Sequence, residues 1–304
     1  MDAQPRLDRR PQALLYETHS HTPLCRHANG LPEEYAAVAY RRNLKGLIVT
    51  CHNPMPRDFA SKYRMSIEEL DAYESMVMHA KNLWSGRVDV RLGMESEYVP
   101  GIESYLEKLH TLKPFKYILG SVHPQITEYR TEYFRNDIVA YQKLYFEHLA
   151  MAAETKLFDT LSHPDLVKIC SPDCWNPSSI LTDIQHALDR IARAGTAMEL
   201  NTSGLLKQLN EMHPGELILN EIRARNIPMV IGGDAHQPER AGADFDVALR
   251  LLQRLGFTTV SLFLERHQRQ DIPIADALAS LTPLTSSPAP DAAAPHQQSE
   301  AQHA

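Results

Sequence analysis

Short apolar runs rich in β-branched residues alternate with longer helical stretches along most of the chain. The apolar runs predict strands at 14–17, 46–50, 88–93, 117–121, 158–162, 196–201, 228–232 and 258–263. The stretches between them predict helices at 32–42, 67–83, 102–112, 137–154, 178–194 and 214–225. Alternation of this kind predicts βαβ units arranged around a parallel sheet.

Proline and glycine support these boundaries. Pro32 and Pro214 stand where helices are predicted to begin, and Gly195 stands where one is predicted to end. Seven or eight strands favour closure into a barrel over an open doubly wound sheet. Because no G-x-G-x-x-G follows the first strand, the sequence gives no support for a dinucleotide-binding fold. The expected fold is therefore of the α/β class, a β/α barrel.

The 304 residues suffice for one such barrel, which typically takes about 250. Residues 1–12 are polar and predict a flexible N-terminal tail. Residues 283–304 consist largely of Pro, Ala, Ser, Gln and His and predict a disordered C-terminal tail, because they bury too little apolar surface to offset their ordering entropy. The barrel is expected to occupy residues 13–282.

Charge and composition restrict the partners. The net charge of −7 argues against a nucleic-acid partner, which normally meets a basic surface. No apolar run approaches the roughly 18 residues of a membrane span, and no secretory apolar stretch follows the arginines near the N-terminus. The four cysteines show no disulfide framework, which predicts a cytoplasmic protein with no membrane partner.

Residues that commonly bind metals follow the predicted strands where each ends. They are His19, His21 and His27, then His52, Glu95, Glu97, His123, His163, Asp165 and Glu199, and finally Asp234 and His236. The C-terminal ends of barrel strands meet at one mouth, so we expect these side chains to converge. His19 and His21 stand two apart on an extended strand and point to the same side, and Asp234 and His236 repeat that spacing. Imidazoles and carboxylates are ligands of divalent transition metals. The pattern predicts a metal cluster.

The motifs follow one another in the order H-x-H, a histidine in the next loop, a second-strand histidine, G-x-E, G-S-V-H, S-H-P-D and G-x-D-A-H. This order resembles that of the polymerase and histidinol phosphatase (PHP) superfamily. Within it, the chain is similar to the histidinol-phosphate phosphatases. The resemblance implies a distorted seven-stranded β/α barrel, a (β/α)7 barrel, with two or three divalent ions of Zn, Mn or Fe at the mouth. Its implied ligands are His19, His21, His27, His52, Glu95, His123, His163, Asp234 and His236. Glu17 and Cys51 depart from the pattern, because many members have Asp at the first position and an acidic residue at the second.

The resemblance implies a metal-dependent phosphomonoesterase acting on a small phosphorylated metabolite, L-histidinol phosphate, in histidine biosynthesis. Asp234 and His236 are candidates to protonate the leaving group. Phosphate-binding candidates are the arginines that follow strand ends, namely Arg57, Arg64, Arg130, Arg135 and Arg240. Acceptors for the substrate's ammonium and imidazole are sought among the carboxylates of the mouth loops, which are Asp58, Glu97 and Glu128.

Three other functions compete with this one. A phosphoesterase of the same superfamily acting on nucleotides or nucleoside bisphosphates would use the same cluster and differ in its loops. A non-enzymatic polymerase appendage fits poorly, because the net charge is negative and all nine ligand positions are filled. A metal-dependent amidohydrolase would usually want a carboxylated lysine at a strand end, and no predicted strand ends in Lys. The sequence leaves the oligomeric state open.

Overall fold

The computed structural model describes residues 11–281, so the two predicted tails lie outside the described residues apart from Pro11 and Gln12. Nine strands are present in this part: β1 (Tyr16–Glu17), β2 (Gly46–Val49), β3 (Asp89–Glu97), β4 (Tyr117–Ser121), β5 (Thr160–Leu161), β6 (Ala197–Asn201), β7 (Met229–Gly232), β8 (Thr259–Glu265) and β9 (Gln268–Pro273). The α-helices of the same part are α1 (Pro32–Arg41), α2 (Leu70–Leu83), α3 (Glu103–Leu109), α4 (Thr127–Tyr133), α5 (Ile138–Glu154), α6 (Leu181–Ala194), α7 (Glu216–Ala224), α8 (Phe245–Arg254) and α9 (Ile274–Ser280).

Strands β1 to β7 form one parallel sheet in sequence order. The first and last strands meet just beyond their ends, where the Ala235 amide donates to the His19 carbonyl at 2.9 Å and the His21 amide donates to the Ala235 carbonyl at the same distance. These bonds bring the sheet round to a nearly closed ring, with helices between successive strands. The predicted seven-stranded β/α barrel is confirmed.

The strands bury apolar residues on both faces. Leu47 and Val49 of β2 belong to the large core between the sheet and the helices, whereas Ile48 belongs to the smaller core inside the barrel. Ala197 of β6 also lies in that inner core, so Glu199 and Asn201, two and four positions on, share its inward face. Inward-facing polar residues at the ends of strands are therefore a product of strand periodicity.

The predicted eighth strand is present but does not belong to the barrel. β8 pairs antiparallel with β9 in a separate two-stranded sheet, which corrects the expectation that it continues the parallel series. Leu262 and Phe263 join the inner core, and the Phe263 ring stacks on Tyr117 with centroids 6.1 Å apart. The hairpin thus covers the apolar interior that β1 and β4 would otherwise expose.

Helices α4, α8 and α9 were not predicted. α8 buries Phe245, Ala248, Leu249 and Leu252, an i, i+3, i+4, i+7 pattern that covers one helix face. Fully burying a leucine contributes on the order of 1.5–3 kcal/mol, so this face holds the helix against the barrel. Among the described residues, no helix combines the length and apolar character needed to cross a membrane.

Candidate metal centre

Glu95, at the end of β3, lies at the centre of the cluster and is fully buried. Its Oε2 lies 2.7 Å from Nδ1 of His52 and 3.4 Å from Nε2 of His19. Its Oε1 lies 3.0 Å from Nε2 of His163 and 3.4 Å from Nε2 of His123. Nε2 of His21 lies 3.7 Å from Oε2 as well, so one carboxylate faces five imidazoles, and its lone pairs suffice for more than one cation.

Asp234, just after β7, gathers the remaining ligands. Its Oδ1 lies 3.1 Å from Nε2 of His21 and 3.4 Å from Nδ1 of His236. The rings of His21 and His236 stack with centroids 4.0 Å apart, and Nε2 of His236 lies 2.9 Å from Nε2 of His27. His21 is buried and His27 is exposed, so the cluster runs from the barrel interior to the rim. The structure brings all nine predicted ligands together.

Buried carboxylates behind the cluster fix the orientation of its imidazoles. Nδ1 of His19 donates to Glu199 at 2.8 Å, and Nδ1 of His123 donates to Glu97 at 2.6 Å. The Arg64 guanidinium in turn pairs with Glu97. A hydrogen bond at Nδ1 sets the tautomer and leaves Nε2 free to bind a metal, which is the usual role of carboxylates behind metal-binding histidines.

Glu17 holds the two mouth segments together. Its carboxylate accepts from the backbone N–H groups of His19 at 2.9 Å, Gly233 at 2.8 Å and Gly242 at 2.6 Å. Burial raises the pKa of Glu17 to about 7 against the opposing effect of these bonds. A Cβ at Gly233 would lie 2.4 Å from a Glu17 oxygen, so the close approach requires glycine there.

The electrostatics differ across the cluster. Burial opposes ionisation of Glu95, but the facing His52 and His19 hold the pKa of its carboxyl well below its ordinary value. Burial lowers the pKa of His52 to about 3 and that of His236 to about 4, so at neutral pH these two are neutral imidazoles, the form that binds metal ions. Burial also opposes the charge on His19, His21 and His123, but the carboxylates that face them raise their pKa above its ordinary value.

Several atoms of the cluster that could bind a metal ion have no hydrogen-bond partner within residues 11–281. They include Nε2 of His19, Nδ1 of His21 and Nδ1 of His163. A buried polar atom without a partner costs about 1–3 kcal/mol, and coordination removes that cost at each atom that becomes a ligand. Three overlapping groups that contain only histidines and carboxylates, each within 4.8 Å, lie in this cluster: His19 with His21 and Glu95, His52 with Glu95 and His123, and His21 with His52 and His236. The residues fit divalent metal ions.

A cavity of about 650 Å³ opens over the cluster. Six of the nine predicted ligands line it: His27, His52, His123, His163, Asp234 and His236. Its walls carry cationic Arg64, Lys207 and Arg240, apolar Tyr63, Ile126, Leu166, Ile169 and Leu206, and polar Gln125, Thr127, Ser203 and Gln237. Both its volume and its mixture of apolar walls with a few polar groups are typical of small-molecule sites.

The structure narrows the arginine candidates. Arg64 and Arg240 line the cavity, whereas Arg57, Arg130 and Arg135 lie outside its described lining. The Arg130 guanidinium sits over the Phe134 ring at 4.4 Å, Arg135 donates to the Thr131 carbonyl at 3.3 Å, and Arg57 is exposed. The local turns after β2 and β4 direct these three side chains elsewhere.

The expected acceptor carboxylates do not line the cavity either. Glu97 is buried behind His123, Glu128 accepts from the Ala60 amide at 3.2 Å, and Asp58 is exposed. Gln125 and Gln237 are the residues that present amide groups to the cavity, and sequence reasoning passed over both. The sequence placed Glu199 among the converging residues at the strand ends but did not predict its hydrogen bond to His19.

A nearly closed parallel barrel with a histidine- and carboxylate-rich mouth is typical of metal-dependent hydrolases. The chain belongs to the PHP domain family, which matches residues 17–203.

It is 36% identical over 261 residues to a probable histidinol-phosphatase of Deinococcus radiodurans, covering 84% of this chain and 98% of that protein. It is 23% identical over 276 residues to the histidinol-phosphatase of Bacillus subtilis, covering 76% and 97%. Among solved structures, a histidinol phosphate phosphatase of Lactococcus lactis, crystallised with zinc, L-histidinol and phosphate, superposes with a TM-score of 0.72 at 16% identity, covering 84% of this chain and 98% of that one. That superposition shows a shared fold.

Proposed function

We propose that this protein is a metal-dependent phosphomonoesterase that hydrolyses L-histidinol phosphate to L-histidinol and inorganic phosphate. One observation carries the proposal: six of the nine predicted ligands line a cavity whose walls hold cationic and apolar groups, and the other three, His19, His21 and Glu95, are buried in contact with them. The 36% identity to a probable histidinol-phosphatase over almost all of that protein's length supports this choice of substrate.

The nine residues would hold two or three ions of zinc, manganese or iron. Ions bound there would polarise the phosphoryl oxygens and lower the pKa of water, which supplies the nucleophile for phosphate ester hydrolysis. The remaining steps depend on groups of the chain itself.

Arg240 is suited to bind the phosphoryl group. It lines the cavity, and its ion pair with Asp244, at 2.7 Å, joins two partly exposed groups, with 26% of the Arg240 side chain accessible. Arg64 also lines the cavity, but its side chain is buried and pairs with the buried Glu97, and it donates to Asn53 at 3.2 Å. We therefore assign phosphate binding to Arg240 and a supporting role to Arg64.

Asp234 is suited to take a proton from the attacking water and deliver it to the leaving oxygen. Its Oδ1 faces His21 in the cluster, while its Oδ2 accepts from the Ser203 hydroxyl at 3.2 Å at the cavity wall. The two oxygens thus separate metal binding from proton transfer. His236, the other candidate, keeps a ligand role at the rim because its two ring nitrogens face Asp234 and His27.

The rest of the substrate would lie against the far wall. Ile126, Leu166 and Leu206 offer apolar surface for the carbon skeleton and the ring face. The amide oxygens of Gln125 and Gln237 can accept from the substrate's ammonium and imidazole N–H groups. A nucleotide would have to place a base larger than imidazole against the same wall.

A reducing compartment, the cytoplasm, suits this centre. All four cysteines are free thiols, and two of them, Cys25 and Cys51, are buried beside the cluster. Reduced cysteines are typical of intracellular proteins.

The test is a comparison of kcat/KM for histidinol phosphate, nucleoside monophosphates, nucleoside bisphosphates and sugar phosphates, using protein loaded with zinc or with manganese. We expect histidinol phosphate to be preferred by about a hundredfold, or about 2.7 kcal/mol of transition-state discrimination. If a nucleotide is instead preferred by the same factor, the proposed substrate is wrong, whereas the assignment as a metal-dependent phosphomonoesterase is retained.

A further inference from the structure

The Cys25 thiol lies beside the two histidines at the rim of the metal centre. Its sulfur and one ring nitrogen each of His27 and His236 all lie within 4.8 Å of one another. The two imidazoles already face each other, with their Nε2 atoms 2.9 Å apart. His236 follows β7, whereas Cys25 and His27 follow β1, so the three donors meet only in the folded protein.

The backbone after β1 presents both residues to the cluster. Thr22 caps a short turn over Pro23–Cys25, and Arg26 then takes a left-handed conformation with φ 70°. His27 donates from Nδ1 to the Cys25 carbonyl at 2.7 Å, which leaves its Nε2 free for an ion. The Cys25 side chain is fully buried, so its sulfur faces the centre and not the solvent.

Cys51 makes this corner suitable for a thiolate. It lies against the Cys25 thiol, accepts from the Thr22 hydroxyl at 3.2 Å and donates to the Thr22 carbonyl at 3.6 Å. A carboxylate at position 51 would place a second negative charge beside a thiolate at Cys25. A neutral thiol there adds no such repulsion and supplies a weak S–H donor.

We propose that Cys25 is a sulfur ligand of the metal centre, and that with His27 and His236 it binds one thiophilic divalent ion at the rim. The three ligands leave a coordination position open toward the cavity, which His27 and His236 both line. Thiolate sulfur favours zinc, cobalt and ferrous ions, whereas manganese and magnesium prefer oxygen. This inference rests on the metal-binding part of the proposed function. It predicts which metal ions the site formed by Cys25, His27 and His236 prefers.

Cobalt provides the test, because a thiolate ligand gives Co²⁺ a sulfur-to-metal charge-transfer band that nitrogen and oxygen ligands do not give. The full-length protein, stripped of metal and titrated with Co²⁺, should develop this band in the near ultraviolet. Cys25→Ser should lose the band and keep the visible bands of cobalt bound to the other ligands. Cys174→Ser, at an exposed cysteine away from the cluster, is the matched control and should keep both.

X-ray absorption of the zinc-loaded wild-type protein gives a second readout that needs no variant. We expect a zinc–sulfur distance of about 2.3 Å. Cys25→Ser should also weaken zinc binding at one site by at least about tenfold in chelator competition, with a smaller effect on manganese.

The inference is overturned if the wild-type protein shows neither the band nor the zinc–sulfur distance, or if Cys25→Ser retains them. The substrate is tested separately. If the protein shows the band but does not hydrolyse histidinol phosphate, the proposed substrate is wrong and the sulfur ligand is retained. If the protein hydrolyses histidinol phosphate but shows no band, the sulfur ligand is wrong and the substrate is retained.

Discussion

The Glu97 carboxylate accepts a 2.6 Å hydrogen bond from Nδ1 of His123, and both groups are buried. The contact fixes the His123 tautomer with Nε2 toward Glu95. Burial opposes the charge on Glu97, but the facing His123 and Arg64 lower its pKa to about 2, so it remains an acceptor at neutral pH.

Glu97→Gln should therefore weaken metal binding by about 10- to 100-fold, because the amide no longer stabilises the oriented imidazole. Competition with a coloured chelator measures this. Glu107→Gln, at an exposed position on α3, is the control and should leave the affinity unchanged. Equal affinities for the two variants would contradict the orienting role of Glu97.

Asp234→Asn should lower kcat by at least about a hundredfold, since it removes a ligand charge and the proposed proton carrier without changing side-chain volume. Circular dichroism should report an unchanged fold. Asp246→Asn, exposed on α8, should retain full activity. A kcat for Asp234→Asn above a tenth of the wild-type value would remove Asp234 from the reaction.

Chelation should abolish turnover and also lower stability, because the ions bind the folded state and satisfy its unpaired donors. Each independent site filled at a hundred times its Kd stabilises the fold by about 2.7 kcal/mol. Metal analysis should find more than one ion per chain, and melting curves with and without chelator should separate. Full activity in metal-free protein would exclude the mechanism.

Lys168→Met should destabilise the fold by about 3–5 kcal/mol, because it leaves the Asp165 carboxylate buried without its cation. The Lys168 ammonium donates to Asp165 at 3.0 Å and to the Met212 carbonyl at 2.7 Å, tying β5 to the loop that carries Leu206. KM should rise as this wall loosens.

Lys143→Met, the control, breaks an ion pair of half-exposed groups with Asp183 and should cost about 0–1 kcal/mol of stability. Chemical denaturation measures the free energy of unfolding of both variants. If Lys168→Met loses no more stability than Lys143→Met, the buried ion pair contributes little.

His148 should make the metal-free protein less stable in acid. Burial lowers its pKa to about 4, so between about pH 6.5 and 4 the unfolded chain takes up a proton that the folded chain does not. Stability present above pH 6.5 is lost as the pH falls, by about 2 kcal/mol at pH 5.

Denaturation of His148→Gln at pH 7.5 and pH 5 should show a pH dependence weaker by that amount. His186→Gln, exposed on α6, should show the wild-type dependence. If His148→Gln has the same pH dependence as the wild-type protein, this assignment is wrong.

The sequence determined the repeated strand–helix order, because apolar periodicity is local and survives in one dimension. It also determined where the candidate metal ligands converge, since residues at the C-terminal ends of parallel strands share one mouth. His19 and Asp234, more than 200 positions apart, could be placed together on that rule alone.

Only the tertiary structure decided which neighbours serve the cluster. Whether Arg240 or Arg130 reaches the cavity depends on the turn that follows each strand, and Arg130 stacks on Phe134 because its own helix places that ring nearby. The pairing of β8 with β9 depends on which strand meets the apolar barrel interior. These choices rest on contacts between distant segments, whose energies do not appear in the local pattern of the chain.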